Sequence, residues 1–410
     1  MRSVVTGIIV LMAAGGAWGS DWPQFRGPNR DGTAPDVRLA RSWPGGPKVL
    51  WTVKVGVGFG GPAIQGGNVY ILDRVARRRD VLRCLDLKTG NEKWTFGYDA
   101  PGRVGYDGSR STPTVGEKYV FTIGPFGHMH CVDKQTHKAV WAKQLSADFG
   151  SRRPQWGFSQ SPLLYKDTVI IAPLSGSVGV VALKRATGKV VWKSPPFGPM
   201  RYMSPQVTTI GGVEQILMMS KSHTAGVEPG TGKVLWKYGG WRCSIPINNP
   251  LPAGKGLIFI SGGYGAGSVM IRVEGKAGRF SVKEVFRLRR LGAHIHPPIL
   301  HKGHLYVQFN TKREKDGLAC VDLKGNVKWK TGRRPNFDWG GMIWADDHVL
   351  AMDGATGILR LIKPDPQGYK EVAKASILGG RQIWGPMALA DGKLVLRDQR
   401  QMKCLEVGAK

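Results

Sequence analysis

The chain has 410 residues and carries 59 Lys and Arg against 29 Asp and Glu, a formal charge of +30 at pH 7. Length alone suggests two or three domains, and the basic excess directs attention to anionic partners. No G-x-S-x-G, C-x-x-C or H-E-x-x-H string occurs, which removes the short signatures of serine hydrolases, dithiol redox proteins and zinc proteases.

The first element, "MRSVVTGIIVLMAAGGAWGS", has one basic residue, an apolar stretch, and Ala17 and Gly19 spaced for signal-peptidase cleavage. Residues 1–19 are expected to be a secretory signal peptide, so the mature protein is expected to be exported, periplasmic or extracellular. A retained membrane anchor is the alternative reading of so short a stretch. No Cys follows it, so no lipid anchor is expected, and nothing later approaches a transmembrane span. Residues 20–47 form an N-terminal extension opening with "DWPQFRGPNRDG", whose Trp22 and Phe25 are expected to pack on the remainder of the chain.

From residue 48 to 410 one pattern returns. The first complete unit, Pro62 to Trp94, reads as four short strands, "PAI", "NVYIL", "VLRCLDL" and "EKWTF", separated by Gly, Asn and Asp clusters. In "CLDLKTGNEKW" Asp86 precedes a turn and Trp94 follows at a spacing of eight; Asp133 and Trp141, Lys184 and Trp192, and Glu228 and Trp236 repeat that spacing. Asp322 and Trp329 sit one residue tighter, and Phe286 takes the aromatic place between Trp236 and Trp329. An Asp that bonds its own turn and a Gly that takes the left-handed conformation close a tight hairpin. The indole then covers a seam to a neighbouring unit.

A period in the forties is that of propeller blades. Units begin near Pro62, Pro113, Pro162, Pro205, Pro250, Pro297, Met342 and Pro386, which makes eight, and the last ends without its outer strand. "KVLWTVKV", Lys48 to Val55, is an outer strand without a blade. The expected fold is therefore all-β: an eight-bladed propeller of four-stranded antiparallel blades, closed by an N-terminal strand that completes the last blade. Cys84, Cys131, Cys320 and Cys404 hold one register position in four different blades, so disulfides are not expected. Cys243 is out of register, a lone thiol in a loop.

The units "DLKTGNEKW", "RATGKVVW" and "PGTGKVLW", with the opening "DWPQFRGPNRDG", resemble the PQQ-like β-propeller repeat family. Its relatives include quinoprotein alcohol dehydrogenases and the outer-membrane assembly scaffold BamB, so the resemblance implies the fold and leaves the function open. In the enzyme branch it implies a quinone and calcium in the central funnel, held by Glu, Asn and Asp, with an Asp base and commonly two adjacent cysteines. This chain has no adjacent cysteine pair; Asn248, Asn249 and Asp338 are the residues it offers there, with no Glu.

Two further strings carry no catalytic pattern. "GVGFGG", Gly56 to Gly61, fits G-x-G-x-x-G, but a strand and no helix follows, so it is a loop between blades. "HIHPPILHKGH" gathers His294, His296, His301 and His304; the first two would point the same way on an extended chain and read as a funnel-lining pair, with metal binding as the alternative for which the sequence specifies no acidic or Cys partner.

Strand order puts all inter-blade connections on one face of the ring. They carry Arg103, Arg110, Arg152, Arg153, Arg201, Arg242, Arg287, Arg289, Arg290, Arg333, Arg334 and Arg381, joined by the hairpin "DRVARRRD" with Arg74, Arg77, Arg78 and Arg79. The opposite face carries mostly Lys. Arg is the residue that grips carboxylate and phosphate in bidentate fashion. Arg110, Gln160, Tyr202, Asn248 and Asn249 are candidate funnel ligands, as are His294, His296, Trp339 and Trp384. Arg152, Arg153, Arg289, Arg290, Arg333 and Arg334 are the candidate face for an anionic partner.

The expected function is non-catalytic binding or scaffolding, with an anionic glycan, lipid head group or protein segment as partner. No nucleic acid, resident cofactor or metal is expected, no catalytic residue is assigned, and a monomer is expected. The alternative is a PQQ-dependent dehydrogenase of alcohols or sugars, with PQQ and calcium in an atypical funnel.

Overall fold

Each repeat folds where β-branched and aromatic residues run together and turns at its Gly, Asn and Asp clusters. In the computed structural model, which describes residues 21–199, 202–276, 278–311 and 315–409, unit one becomes strands Ala63–Gln65, Asn68–Val75, Arg79–Asp86 and Glu92–Asp99. The signal-peptide expectation and Arg201 lie outside the described residues. Eight such sheets form an all-β, eight-bladed propeller. Second strands such as Asn68–Val75 and Leu257–Gly262 are buried along almost their whole length, because neighbouring blades cover both their faces. Outer strands such as Lys370–Ser376 alternate with solvent.

Closure follows the sequence expectation. Lys48–Lys54 pairs antiparallel with Gln401–Glu406 of the last blade, with Trp51 opposite Cys404. The same register recurs elsewhere: Cys84 faces Trp94, Cys131 faces Trp141 and Cys320 faces Trp329, with Ala182 and Gly226 opposite Trp192 and Trp236. A small residue leaves room for the indole across the ladder. In all eight blades a register shift interrupts the pairing of third and fourth strands, beside this aromatic in seven of them and beside Ala373 in blade seven, a β-bulge kept in every repeat. All five cysteines are free and buried, Cys243 included, and burial pushes their thiols up to between about 11 and about 12.

The repeated Trp joins blades through one device. The indole N–H of Trp51 donates to the Leu87 carbonyl at 2.9 Å, that of Trp141 to Arg185 at 2.8 Å, that of Trp192 to Pro229 at 3.0 Å and that of Trp329 to Asp365 at 2.7 Å. Each acceptor lies in the turn of the next blade. In the first three of these turns the glycine approaches so closely that a Cβ on Gly188 would meet the Trp141 ring at 2.7 Å. In blade two His137 replaces the glycine, and its ring stacks on Trp94 at 4.7 Å. Blade five has a long hairpin instead of this turn, so Trp236 donates within its own blade, to Gln215 at 2.6 Å.

The N-terminal extension enters the ring. Trp22, 1% exposed, exchanges both backbone hydrogen bonds with Ile64 of the first inner strand. Thr33–Ala34 pairs in parallel with Trp344 and Ala345 of blade seven. Between these anchors the buried Arg30 donates to the carbonyls of Pro162 and Pro205, and Arg26 to that of Pro298 at 3.0 Å. Those carbonyls precede the inner strands of blades three, four and six. Burial lowers Arg30 to about 9 and Arg26 to about 10. The segment for which the sequence suggested only aromatic packing is thus a plug at the axis. One short α-helix, Leu145–Phe149, is present among the described residues, capped by Gln144 and ended by Gly150 at φ 67. None of these residues forms a helix long and apolar enough to cross a membrane.

Candidate binding funnel

Above the plug, on the face of the inter-blade connections, the axis opens into a pocket of about 140 Å³. Aromatic side chains dominate its wall because seven of the eight inter-blade connections deliver a ring as they turn toward an inner strand, while the connection into blade five delivers Ile247 and Asn249 and a hairpin of that blade delivers Tyr264. Phe59, Tyr106, Trp156 and Tyr202 form one arc, and Trp384, Trp339, His294 and Tyr264 the other. Along the arcs, neighbouring ring centroids lie between 4.5 Å, for His294 on Trp339, and 6.2 Å, for Phe59 on Tyr106. Phe59 stacks on Trp384 at 5.5 Å and joins the arcs. Phe25 of the plug faces the same space. Stacked and edge-on pairs hold one another's faces in place, so the wall is preorganised.

Of the nine funnel candidates, Arg110, Tyr202, Asn249, His294, His296, Trp339 and Trp384 line this pocket. Gln160 does not: fully buried, it accepts from the Ala172 N–H at 2.8 Å and donates to the Ala172 carbonyl at 3.0 Å. Asn248 does not either, and it donates to the Ala293 carbonyl at 2.8 Å. Gln160 ties its connection to the residue that follows strand Thr168–Ile171, and Asn248 ties its connection to the next one, which is why their side chains turn from the axis.

The polar groups that reach the pocket are largely committed to protein. Asn249 accepts from Ser204 N–H at 3.1 Å and donates to its carbonyl at 2.8 Å. Arg110 donates to the carbonyls of Gly105, Tyr106 and Gly108, and burial lowers it to about 10. His296 Nε2 lies 2.9 Å from the Trp384 carbonyl, which can only accept, so this nitrogen carries the proton. Burial lowers His296 to about 4, and the Arg26 charge pushes the same way. Asp338 does not line the wall; its carboxylate accepts from the Trp384 indole at 2.9 Å and lies 3.5 Å from Lys315.

The arginine face is smaller than the sequence suggested. Arg74 is buried and holds Asp80 at 2.6 Å, while Arg77, Arg79 and Arg287 pair with Asp107, Asp99 and Glu284. Arg152, Arg153, Arg289, Arg290, Arg333 and Arg334 are all exposed, and none forms an ion pair among the described residues, although Arg289 lies near enough to Glu284 to help lower its carboxyl. Their places in the chain carry a signal that sequence reasoning passed over. Arg152 and Arg153 precede Trp156, Arg289 and Arg290 precede His294, and Arg333 and Arg334 precede Trp339, each in the same connection. Exposed Arg103 and Arg381 likewise precede Tyr106 and Trp384.

Propeller and funnel together define a repeat protein with a ligand-sized axial opening. The chain belongs to the family described as outer membrane protein assembly factor BamB, whose model matches residues 78–331. No curated protein matches it. Among solved structures, quinohemoprotein alcohol dehydrogenase from Comamonas testosteroni is similar at a TM-score of 0.66 and 13% identity, covering 95% of this chain and 81% of that one. A europium-containing methanol dehydrogenase is similar at 0.64 and 14%, covering 92% and 89%. The computationally designed Ika8 protein is similar at 0.59 and 10%, covering 88% and 98%. At such identities these likenesses show the fold alone.

A PQQ-type quinone is a flat anion, and the aromatic wall with Arg110 suits its ring and charge. Calcium needs oxygen ligands, chiefly carboxylates. No Asp or Glu lines the wall, and no cluster of His, Cys, Asp and Glu suited to a metal occurs among the described residues. The residues present do not fit the quinone–calcium pair, and no catalytic step is derived from it.

Proposed function

We propose that this protein is a non-catalytic, exported binding propeller that holds an anionic partner on its inter-blade face. The observation that carries this reading is the set of six exposed arginines, none in an ion pair among the described residues, in connections that supply the funnel's rings. Unpaired guanidiniums keep their full attraction for a carboxylate or phosphate, whereas paired ones are already neutralised. The partner is steered by charge and held over the funnel mouth. The dehydrogenase alternative is supported by shared fold and lacks the acidic wall its calcium would need.

The test replaces Arg152, Arg153, Arg333 and Arg334 by Glu and measures binding of poly-glutamate at low and moderate salt. All four are exposed, so the variant is expected to fold. The reading requires salt-sensitive binding by the parent and a loss of at least about tenfold in the variant. Unchanged binding refutes it.

A further inference from the structure

We infer that the partner is an acidic protein segment that inserts one aromatic side chain into the funnel, a reading that rests on the anionic-partner function just proposed. The rim supplies the charge requirement. The polar atoms of the mouth that are already bonded set the second requirement.

Ser159 Oγ donates to the Tyr202 carbonyl at 2.9 Å, and Ser204 Oγ accepts from the Ser161 N–H at 2.9 Å. The Trp339 indole donates to the Asn310 carbonyl at 3.1 Å and the Trp384 indole to Asp338. Asn249 and His296 are likewise engaged with backbone. A sugar ring carries a hydroxyl on most carbons and would recover only a few of the hydrogen bonds it gives up to water, from the Tyr106 and Tyr264 hydroxyls and the Trp156 indole N–H. An acyl chain needs a long aliphatic groove, whereas this pocket is short and walled by flat rings. A flat apolar side chain loses nothing polar on entry and gains stacking against Trp384, Trp339 and Trp156. Flanking Asp or Glu residues then meet the arginine pairs that precede Trp156 and Trp339, and Arg381 before Trp384. A buried aromatic anchor ringed by charge is how a small interface concentrates its affinity.

The experiment compares two fluorescein-labelled peptides by polarisation: glutamates around a central Phe, and the same peptide with Ala in its place. The Phe peptide is expected to bind at least about tenfold tighter to the parent. That advantage should vanish in Trp384→Ala and in Tyr106→Ala. Tyr106 is 41% exposed, so its truncation keeps the test open should the Trp384 variant misfold. Equal binding of both peptides, lost on reversing the rim arginines, overturns the aromatic anchor and leaves the anionic-partner function standing. Binding of neither overturns both. Tighter binding of an oligogalacturonate than of the Phe peptide overturns the protein segment in favour of a glycan.

Discussion

The guanidinium of Arg30 donates to the carbonyl of Pro205 at 2.8 Å across 175 positions of chain. It also donates to the Pro162 carbonyl, its Nε donates to Gln24 at 2.9 Å, and only 2% of the residue is exposed. One side chain of the N-terminal extension therefore fastens the inner ends of blades three and four.

Arg30→Leu should be strongly destabilising, because it strands the buried Pro205 carbonyl and leaves the Pro162 carbonyl with the Thr114 hydroxyl alone. The expected loss is about 3 kcal/mol in urea unfolding. Arg30→Lys should recover only part of it, since one ammonium nitrogen cannot reach all the acceptors that Nε, Nη1 and Nη2 of Arg30 reach from three positions. Full recovery by Lys would show that charge alone matters.

The turn glycines offer a second measurement. Gly188 has φ 66 and leaves no room for a Cβ beside Trp141; Gly212 has φ 76 with nothing within 4 Å of a Cβ. Gly212→Ala costs only the left-handed backbone, about 1 kcal/mol. Gly188→Ala should cost about 2 kcal/mol more, because the indole must shift out of the seam. Equal costs would mean that the seam is loose.

Much of the ring was legible in the sequence because it is said eight times. Spacing of Asp, Gly and Trp identified strands, turns and seam, and the unpaired Trp51 strand gave the closure. The funnel was legible only where aromatic and basic residues stood in segments already assigned to the axis, as with Tyr202, Trp339 and Trp384. Phe59 was hidden in the Gly56 to Gly61 loop, and Tyr264 lies on a hairpin inside blade five, outside any inter-blade connection. Gln160 and Asn248 sat in the right segments, but composition does not say which way an amide turns. The plug was illegible for a different reason: its arginines act over 131 to 272 positions, with no repeat to betray them.

Acid should weaken the fold through its buried imidazoles. Burial lowers His130 to about 4, helped by the nearby His128, and His296 to about 4 as well. An unfolded imidazole takes its proton near pH 6.5. Stability is therefore full above about pH 6.5 and falls as pH drops from there to about 4, by up to about 3 kcal/mol per imidazole. Asp80, whose carboxyl burial raises, works in the opposite sense over part of this range. The comparison of parent with His130→Gln isolates the ring: urea unfolding at pH 7 and pH 4.5 should show a smaller loss in the variant. An identical loss would mean that His130 does not contribute to the acid sensitivity.

The sharpest test of binding without catalysis is a titration of the purified protein with PQQ, with and without calcium. It follows tryptophan fluorescence, since Trp156, Trp339 and Trp384 line the funnel, and then dye-linked oxidation of ethanol and glucose. A non-catalytic propeller should show no calcium-dependent tightening and no turnover above the protein-free rate. Micromolar, calcium-dependent quenching accompanied by turnover would refute that function and make the funnel an active site.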